Sequence, residues 1–252
     1  MRSFLAAVRF LTIIPLPGRS GSAEAELAGS AVYFPIVGLL IGAGAAGTAV
    51  GLTYVLPALP AAVLLVVLLA AVSGGLHLDG LSDTADGFLS ARPRERILEI
   101  MKDSQVGAMG VIVIVCVLLL KVVCLARIPR VDVWRAALLM PLAGRSALVI
   151  SMAVLPYARP QGGLGSAFYR LRPRVSALFA LALLLTAGWL ACQWPGVAAA
   201  GASVLVVLIF CVWCYRKIGG ATGDTLGAAC EIAEVVPSVV MVGWYFRSGN
   251  IL

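Results

Sequence analysis

Residues 58–86 read ALPAAVLLVVLLAAVSGGLHLDGLSDTAD. The first part carries no charge, whereas the second carries Asp79, Asp83 and Asp86 with no Lys or Arg among them. A helix needs ~20 mostly apolar residues to cross the hydrocarbon core of a bilayer. The apolar part has that scale, and a second long apolar run begins at Val106. Two questions follow: how many such runs the chain holds, and why acids crowd between these two.

The chain has 252 residues, of which 61% are hydrophobic and 12% charged, and a mean hydropathy of +1.02. Soluble domains carry about 25% charged residues. This chain has too little polar surface to cover a water-facing globule. It reads as one all-α, polytopic membrane bundle over residues 1–252.

Seven apolar runs are long enough to span: Tyr33–Leu56, Ala58–Leu78, Val106–Leu125, Trp134–Leu155, Val175–Cys192, Gly196–Tyr215 and Leu226–Phe246. Many Gly and Ala inside them suit close helix packing in lipid. Backbone groups in lipid must be satisfied internally, which favours helices, and the alternation of a membrane barrel is missing. The first residues, MRSFLAAVRFLTIIPLPG, are short, basic and broken by Pro15 and Pro17. They lack a small-x-small cleavage site and read as an interfacial helix rather than a removed signal.

Basic residues set the orientation. Arg2, Arg9, Arg19, Arg92, Arg94, Arg96, Lys102, Arg159, Arg170, Arg172, Arg174, Arg216 and Lys217 fall on one side of this topology. The other side holds Arg127, Arg130, Arg135 and Arg247, with Lys121 assigned to it as well. The positive-inside rule places the first group, and the N terminus, in the cytoplasm. The net charge of +7 is explained by this bias and by attraction to anionic membrane lipid. No nucleic-acid partner is needed. Six cysteines all fall in or beside apolar runs and form no metal or disulfide framework.

The three aspartates stand at i, i+4 and i+7. On a helix they cover an arc of about 60° and roughly 10 Å, close enough to repel. The next segment neutralises itself through Arg92–Glu95, Arg96–Glu99 and Glu99–Lys102 at i+3 spacings. The aspartates have no such partners. Either they form a solvated acidic flank, or a hard divalent cation gathers them. His77 points away from them on an ideal helix and reads as a structural histidine near the interface sooner than as a ligand or base.

A second acidic set lies in GGATGDTLGAACEIAEVVP, residues 219–237. Thr222 suits a helix cap, and the glycine turn with Gly223 suits phosphate at a helix N-terminus. Asp224 and Glu231 share a face at i+7, with Glu234 nearby. Glu231 and Glu234 fall inside a span, where a charge costs about 2.5–3.5 kcal/mol on insertion scales. Arg145 reads as the one basic residue deep in a span, free to pair with those glutamates or to meet a phosphate. The whole inventory describes a cation-dependent site at the cytoplasmic face, suited to phosphoryl chemistry. Lys102, Arg145 and the 159–174 loop supply further cations.

The blocks GGLHLDGLSDTADGF, RILEIMKDSQVGAMGV and GGATGDTLGAACEIAEV, with RFLTIIPLP and FPIVGLLIG before them, resemble the cobalamin synthase family of adenosylcobinamide-GDP ribazoletransferases. The resemblance runs in order from residue 9 to 235. It departs at Gln105, where the family pattern continues with Arg after MKDS.

The resemblance implies transfer of α-ribazole, or its 5′-phosphate, to adenosylcobinamide-GDP with release of GMP and with Mg²⁺ as cofactor. It implies a multi-pass protein of the bacterial cytoplasmic (inner) membrane, and leaves a homo-oligomer open. Asp79, Asp83 and Asp86 would hold the metal, and Asp83, Asp86 and Asp224 would act in catalysis. Lys102, Asp103, Arg145, Thr222, Gly223, Glu231 and Glu234 would contact substrate.

Two other classes compete. A membrane lipid-alcohol phosphotransferase also uses spaced aspartates, but its DGxxAR pattern is not met by DGLSDT. A cation or solute transporter would route its pathway past Glu231, Glu234 and Arg145, yet the chain shows no internal repeat.

Overall fold

The computed structural model of the chain describes residues 2–16, 24–159, 164–170 and 173–249. Arg19 and Arg172, used above for orientation, and part of the 156–174 loop lie outside these residues. Eleven α-helices follow one another among the described residues: α1 Arg2–Leu11, α2 Glu24–Ala28, α3 Phe34–Val55, α4 Ala58–Val72, α5 Leu76–Phe88, α6 Arg94–Ile100, α7 Ala108–Arg127, α8 Val133–Val154, α9 Pro173–Cys192, α10 Trp194–Ile218 and α11 Gly223–Arg247. The strand-like pairing described is one isolated parallel bridge between Tyr157 and Ala221.

Six of these, α3 and α7–α11, are long and apolar enough to cross a membrane. The pair α4 and α5 passes the same test only jointly, and its axes are bent by 89°. The expected second span, Ala58–Leu78, therefore stops at Val72. The cause is Ser73–Gly74–Gly75. Gly74 and Gly75 adopt φ of +60° and +74°, a region that costs glycine nothing and other residues strain. Val72 O accepts from the Ile13 N–H at 2.8 Å, which ties the α4 end to the segment after α1. Thus α5, with its three aspartates, is not a spanning helix. It turns off the end of α4.

The bundle is built around α8. In its apolar window 83% of residues are buried, against 22–39% for α3, α7, α9 and α10. Small residues such as Ala136, Ala137, Ala143, Gly144 and Ala147 are buried along α8 and let α3 and α11 pack closely on it. The outer helices turn Leu40, Val63, Val67, Ile112, Leu119, Leu178, Leu205 and Ile209 outward. Such an apolar exterior is what lipid would cover. At one end α1 lays Ala7 and Leu11 fully buried against the bundle.

Among the described residues, four charges pair inside the bundle. Lys121 of α7 donates to Glu231 Oε2 at 2.7 Å and to Glu234 Oε1 at 2.8 Å. Arg145 of α8 donates to Glu234 Oε2 at 2.6 Å. All four side chains are at most 5% exposed. Two cations and two anions close a neutral set that joins α7, α8 and α11. This corrects the view of Arg145 as the one deep basic residue: Lys121 belongs to the bundle interior, not to a loop. The cost of burying these ions is offset only while every member keeps its partner.

Replacing Lys121 by Met should leave two carboxylates sharing one arginine. The expected loss is about 3–5 kcal/mol. It is read as a lower temperature of aggregation for the purified protein in detergent, followed by size-exclusion chromatography. A melting profile equal to that of the parent chain would show that the set does not hold the bundle.

Candidate active site

The site forms where α5 meets the start of α11. Gly80 is the point of contact. A Cβ built there would lie 2.7 Å from the Asp224 backbone oxygen, closer than packed atoms tolerate. Glycine at this position lets the two helices cross without a gap. The crossing brings Asp79 and Asp83 beside Asp224, so the two acidic sets become one.

The start of α11 is fixed by a reciprocal cap. The Thr222 side chain accepts from the Thr225 N–H at 3.3 Å, and the Thr225 hydroxyl accepts from the Thr222 N–H at 2.8 Å. Two of the otherwise orphaned donors at the helix start are satisfied in this way. Thr222 caps a helix, as its sequence position suggested. The turn before it is pinned by Ala158 N–H to Ala221 O and by Ala221 N–H to Pro156 O, both at 2.8 Å. This pairing sets Tyr157 and Arg159 beside the helix start. Arg159 donates to Asp224 Oδ2 at 2.8 Å, with both side chains partly exposed.

Asp83 is half-buried among its own kind. Desolvation, then the charges of Asp79, Asp224 and Asp86, push its carboxyl up to about 7, against a smaller opposing pull from Arg159. At neutral pH it is poised between its two forms, so a proton or a cation must relieve the repulsion.

Asp86 is engaged differently. Its Oδ2 accepts from the Gly107 N–H at 2.8 Å and its Oδ1 from the Gly110 N–H at 2.9 Å. These are the cap position and first turn of α7, which has no side-chain cap of its own. Asp86 therefore caps the next spanning helix, a role that helical periodicity could not reveal. Each of its oxygens keeps a second lone pair.

The remaining expected residues divide. Lys102 and Asp103 are exposed, and Asp103 accepts from the Gln105 N–H at 3.1 Å. Asp103 and Gln105 share with Asp86 a shallow hollow of about 310 Å³ on the outer side of the cap. Gly223 lies beside Asp224 at the mouth of the main cleft. Arg145, Glu231 and Glu234 stay inside the ion set described above. Of the three i+3 pairs expected after residue 91, Arg96–Glu99 forms at 2.7 Å. Arg94 instead donates to Ile218 O at 2.8 Å and to Ala158 O at 3.2 Å, binding α6 to the end of α10 and to the pinned turn.

The main cleft has a volume of about 240 Å³. Asp79, Asp224, Arg159 and Tyr157 stand on its polar side, and Phe10, Phe34, Phe168, Leu148 and Met152 on its apolar side. His77 also lines it. Sequence reasoning set His77 aside and never joined the three phenylalanines, which come from three distant segments. The signal available for His77 was its place one turn before Gly80, on the face that α11 covers.

Among the described residues no three His, Cys, Asp or Glu side chains stand ready to hold an ion by themselves. That is compatible with Mg²⁺, which keeps several waters and takes one or two carboxylates plus substrate phosphate oxygens. The donors here are carboxylate oxygens only, with the buried Ser82 and Thr84 hydroxyls lacking hydrogen-bond partners. A hard cation fits this donor set.

Comparison with known proteins follows the same line. The family model described as cobalamin-5-phosphate synthase matches residues 3–242. An adenosylcobinamide-GDP ribazoletransferase of Desulforamulus reducens is 41% identical over 97% of this chain and 98% of its own length. Proteins of the same name from Geotalea daltonii and a Roseiflexus species are 38% and 43% identical, over 96% and 91% of this chain and 97% and 85% of their own lengths. No solved structure matches. A match over nearly the whole chain, in one continuous bundle whose acidic helices meet at Gly80, leaves one assignment: the chain belongs to the cobalamin-5-phosphate synthase family.

Proposed function

We propose that this chain transfers α-ribazole, or its 5′-phosphate, to adenosylcobinamide-GDP and releases GMP, in a Mg²⁺-dependent reaction at the α5–α11 crossing. The observation that carries the site is the joining of Asp79 and Asp83 with Asp224 across Gly80. The relatives named above carry the reaction. A transporter pathway through Glu231, Glu234 and Arg145 is disfavoured, because those charges close on one another and on Lys121.

The reaction is a substitution at phosphorus. A ribose hydroxyl of the ribazole bonds to the phosphorus that stays with cobinamide. The pyrophosphate bond breaks, and GMP takes the electron pair. Asp79 and Asp224, with Asp86 on their flank, would hold the cation, and Asp83 would instead meet the hydroxyl. When bound, Mg²⁺ supplies positive charge to the pyrophosphate and to the leaving GMP oxygen. Asp83 has the carboxyl matched to accept the hydroxyl proton near neutrality. Asp86 suits that role less, because both its oxygens already accept from backbone N–H groups. Arg159, held at the mouth by Asp224, offers a cation to a substrate phosphate. Exposed Lys102 and Asp103 would line the outer rim.

The basic residues Arg92, Arg94, Arg96, Lys102, Arg159, Arg216 and Lys217 cluster toward this end of the chain's topology. They support an inner-membrane protein whose site opens to the cytoplasm, where nucleotide substrates are found.

The test is GMP release from adenosylcobinamide-GDP and α-ribazole by purified protein in detergent. Release should require Mg²⁺ and stop with a chelator. Asp83→Asn should lower turnover by about 10²–10⁴-fold with an unchanged melting profile. Asp86→Asn should instead lower turnover and stability together, the latter by about 1 kcal/mol for the weakened cap. Normal turnover in Asp83→Asn would remove the site.

The pH profile carries the sign of the Asp83 shift. Its carboxyl is protonated below about 7 and ionised above. A cation on the neighbouring carboxylates lowers that midpoint, so the specificity constant should rise about tenfold per unit at acid pH and level before about 7. A profile of the same shape in Asp83→Asn would exclude Asp83 as the proton acceptor.

A further inference from the structure

The acids of the candidate site have a cation among them that belongs to the chain itself. Arg159 donates to Asp224 Oδ2 at 2.8 Å, and the Thr222 hydroxyl donates to the same oxygen at 3.2 Å. Both lone pairs of Oδ2 are thereby taken. Asp224 is also one of the two carboxylates proposed above to hold the metal. An ion seated on it would stand beside the guanidinium, and like charges so close repel. The Arg159–Asp224 pair and a metal on Asp224 therefore compete.

The surroundings of Arg159 show which partner gives way. Its backbone root is fixed: the Ala158 N–H donates to Ala221 O at 2.8 Å, and Ala158 O accepts from Arg94 at 3.2 Å. Its side chain is held less firmly. Arg159 Nε is buried with no hydrogen-bond partner, a cost that this pose carries and another would relieve. The side chains of Arg159 and Asp224 are 17% and 23% exposed, on the polar side of the cleft. An ion pair with this much solvent is weakly held. Asp224 is steadied from the other side by Thr222, whose hydroxyl also caps α11. The guanidinium is thus the half of the pair that moves.

We infer that Arg159 is a resident counterion: it neutralises Asp224 until a diphosphate group draws it away, and that carboxylate then takes the divalent ion. This rests on the transferase reading above, in which the substrate brings such a group. A guanidinium matches phosphate oxygens better than one carboxylate oxygen, because it donates in pairs. Leaving Asp224 for a phosphate also lets Nε find an acceptor. The two ligands then help each other: the diphosphate frees the metal position, and the metal leaves Arg159 to the diphosphate. A metal ion arriving alone meets a position already neutralised.

The experiment measures binding apart from GMP release, on purified protein in detergent at pH 8. The probes are Mn²⁺ alone, read from its free-ion spin-resonance signal and displaced by Mg²⁺, and adenosylcobinamide-GDP in metal-free buffer. Arg159→Gln should bind the metal about tenfold more tightly than the parent, and adenosylcobinamide-GDP about tenfold more weakly. Arg159→Lys keeps the charge but not the fork. Its metal affinity should stay at the parent value while its affinity for adenosylcobinamide-GDP falls. In an Asp224→Asn background, Arg159→Gln should leave metal affinity where it was, because the gain acts through that carboxylate.

An unchanged or lowered metal affinity in Arg159→Gln overturns the inference, since a merely structural pair gives that result. A full gain in the Asp224→Asn background overturns it too, because the competition then lies elsewhere. So does an unchanged affinity of Arg159→Gln for adenosylcobinamide-GDP. If the opposite shifts appear and the parent releases no GMP, the exchange stands and the transferase reading fails. If the parent releases GMP with Mg²⁺ and Arg159→Gln gains no metal affinity, the reverse holds.

Discussion

A charge placed in hydrocarbon must find its opposite, and this bundle answers that demand with Lys121, Arg145, Glu231 and Glu234. The set fixes the rotation of α7, α8 and α11 about their axes, because each ion pair has one direction. With α11 so rotated, Gly227 faces the His77 backbone and Asp224 faces Gly80. The acidic surface of α5 then has a fixed counterpart. The candidate site is thus aimed by electrostatics inside the bundle. Such buried ions are weak evidence for net stability; what they add is direction, since rotating one of these helices would part an ion from its partner.

The same logic extends outward through backbone groups. Asp86 closes the start of α7, Thr222 and Thr225 close the start of α11, and Arg94 binds the end of α10 to the turn at Ala158. Three spanning helices end at one surface, and each end is satisfied by a residue of the site or next to it. The cleft is therefore surrounded by helix ends that cannot fray without losing a side-chain partner. Its residues are preorganised by the same contacts that terminate the spans.

Much of this was legible in the chain. Hydropathy located the spanning helices, since long apolar runs have few alternatives in lipid. The i, i+4, i+7 spacing identified the acidic face of α5, and Thr222 announced the start of α11. The break after Val72 was missed because a window of apolar residues averages over Ser73–Gly74–Gly75, although two adjacent glycines at the end of a run are a local signal. Lys121 was misplaced because it lies near the end of its run, where a long side chain can reach the interface. The cap formed by Asp86 and the wall formed by Phe10, Phe34 and Phe168 join residues far apart in the chain. No periodicity encodes such meetings; only packing does.

The ion set also has a consequence in time. Lys121 and its partner Glu231 are 110 residues apart, and Arg145 and Glu234 are 89 apart. At about 5–20 residues per second, the ribosome delivers both cations to the translocon several seconds before it delivers their anions. During that interval α7 and α8 carry two cations without their partners, each at a cost of about 2.5–3.5 kcal/mol on insertion scales. The four-ion set can close only once α11, which carries both anions, stands beside α7 and α8.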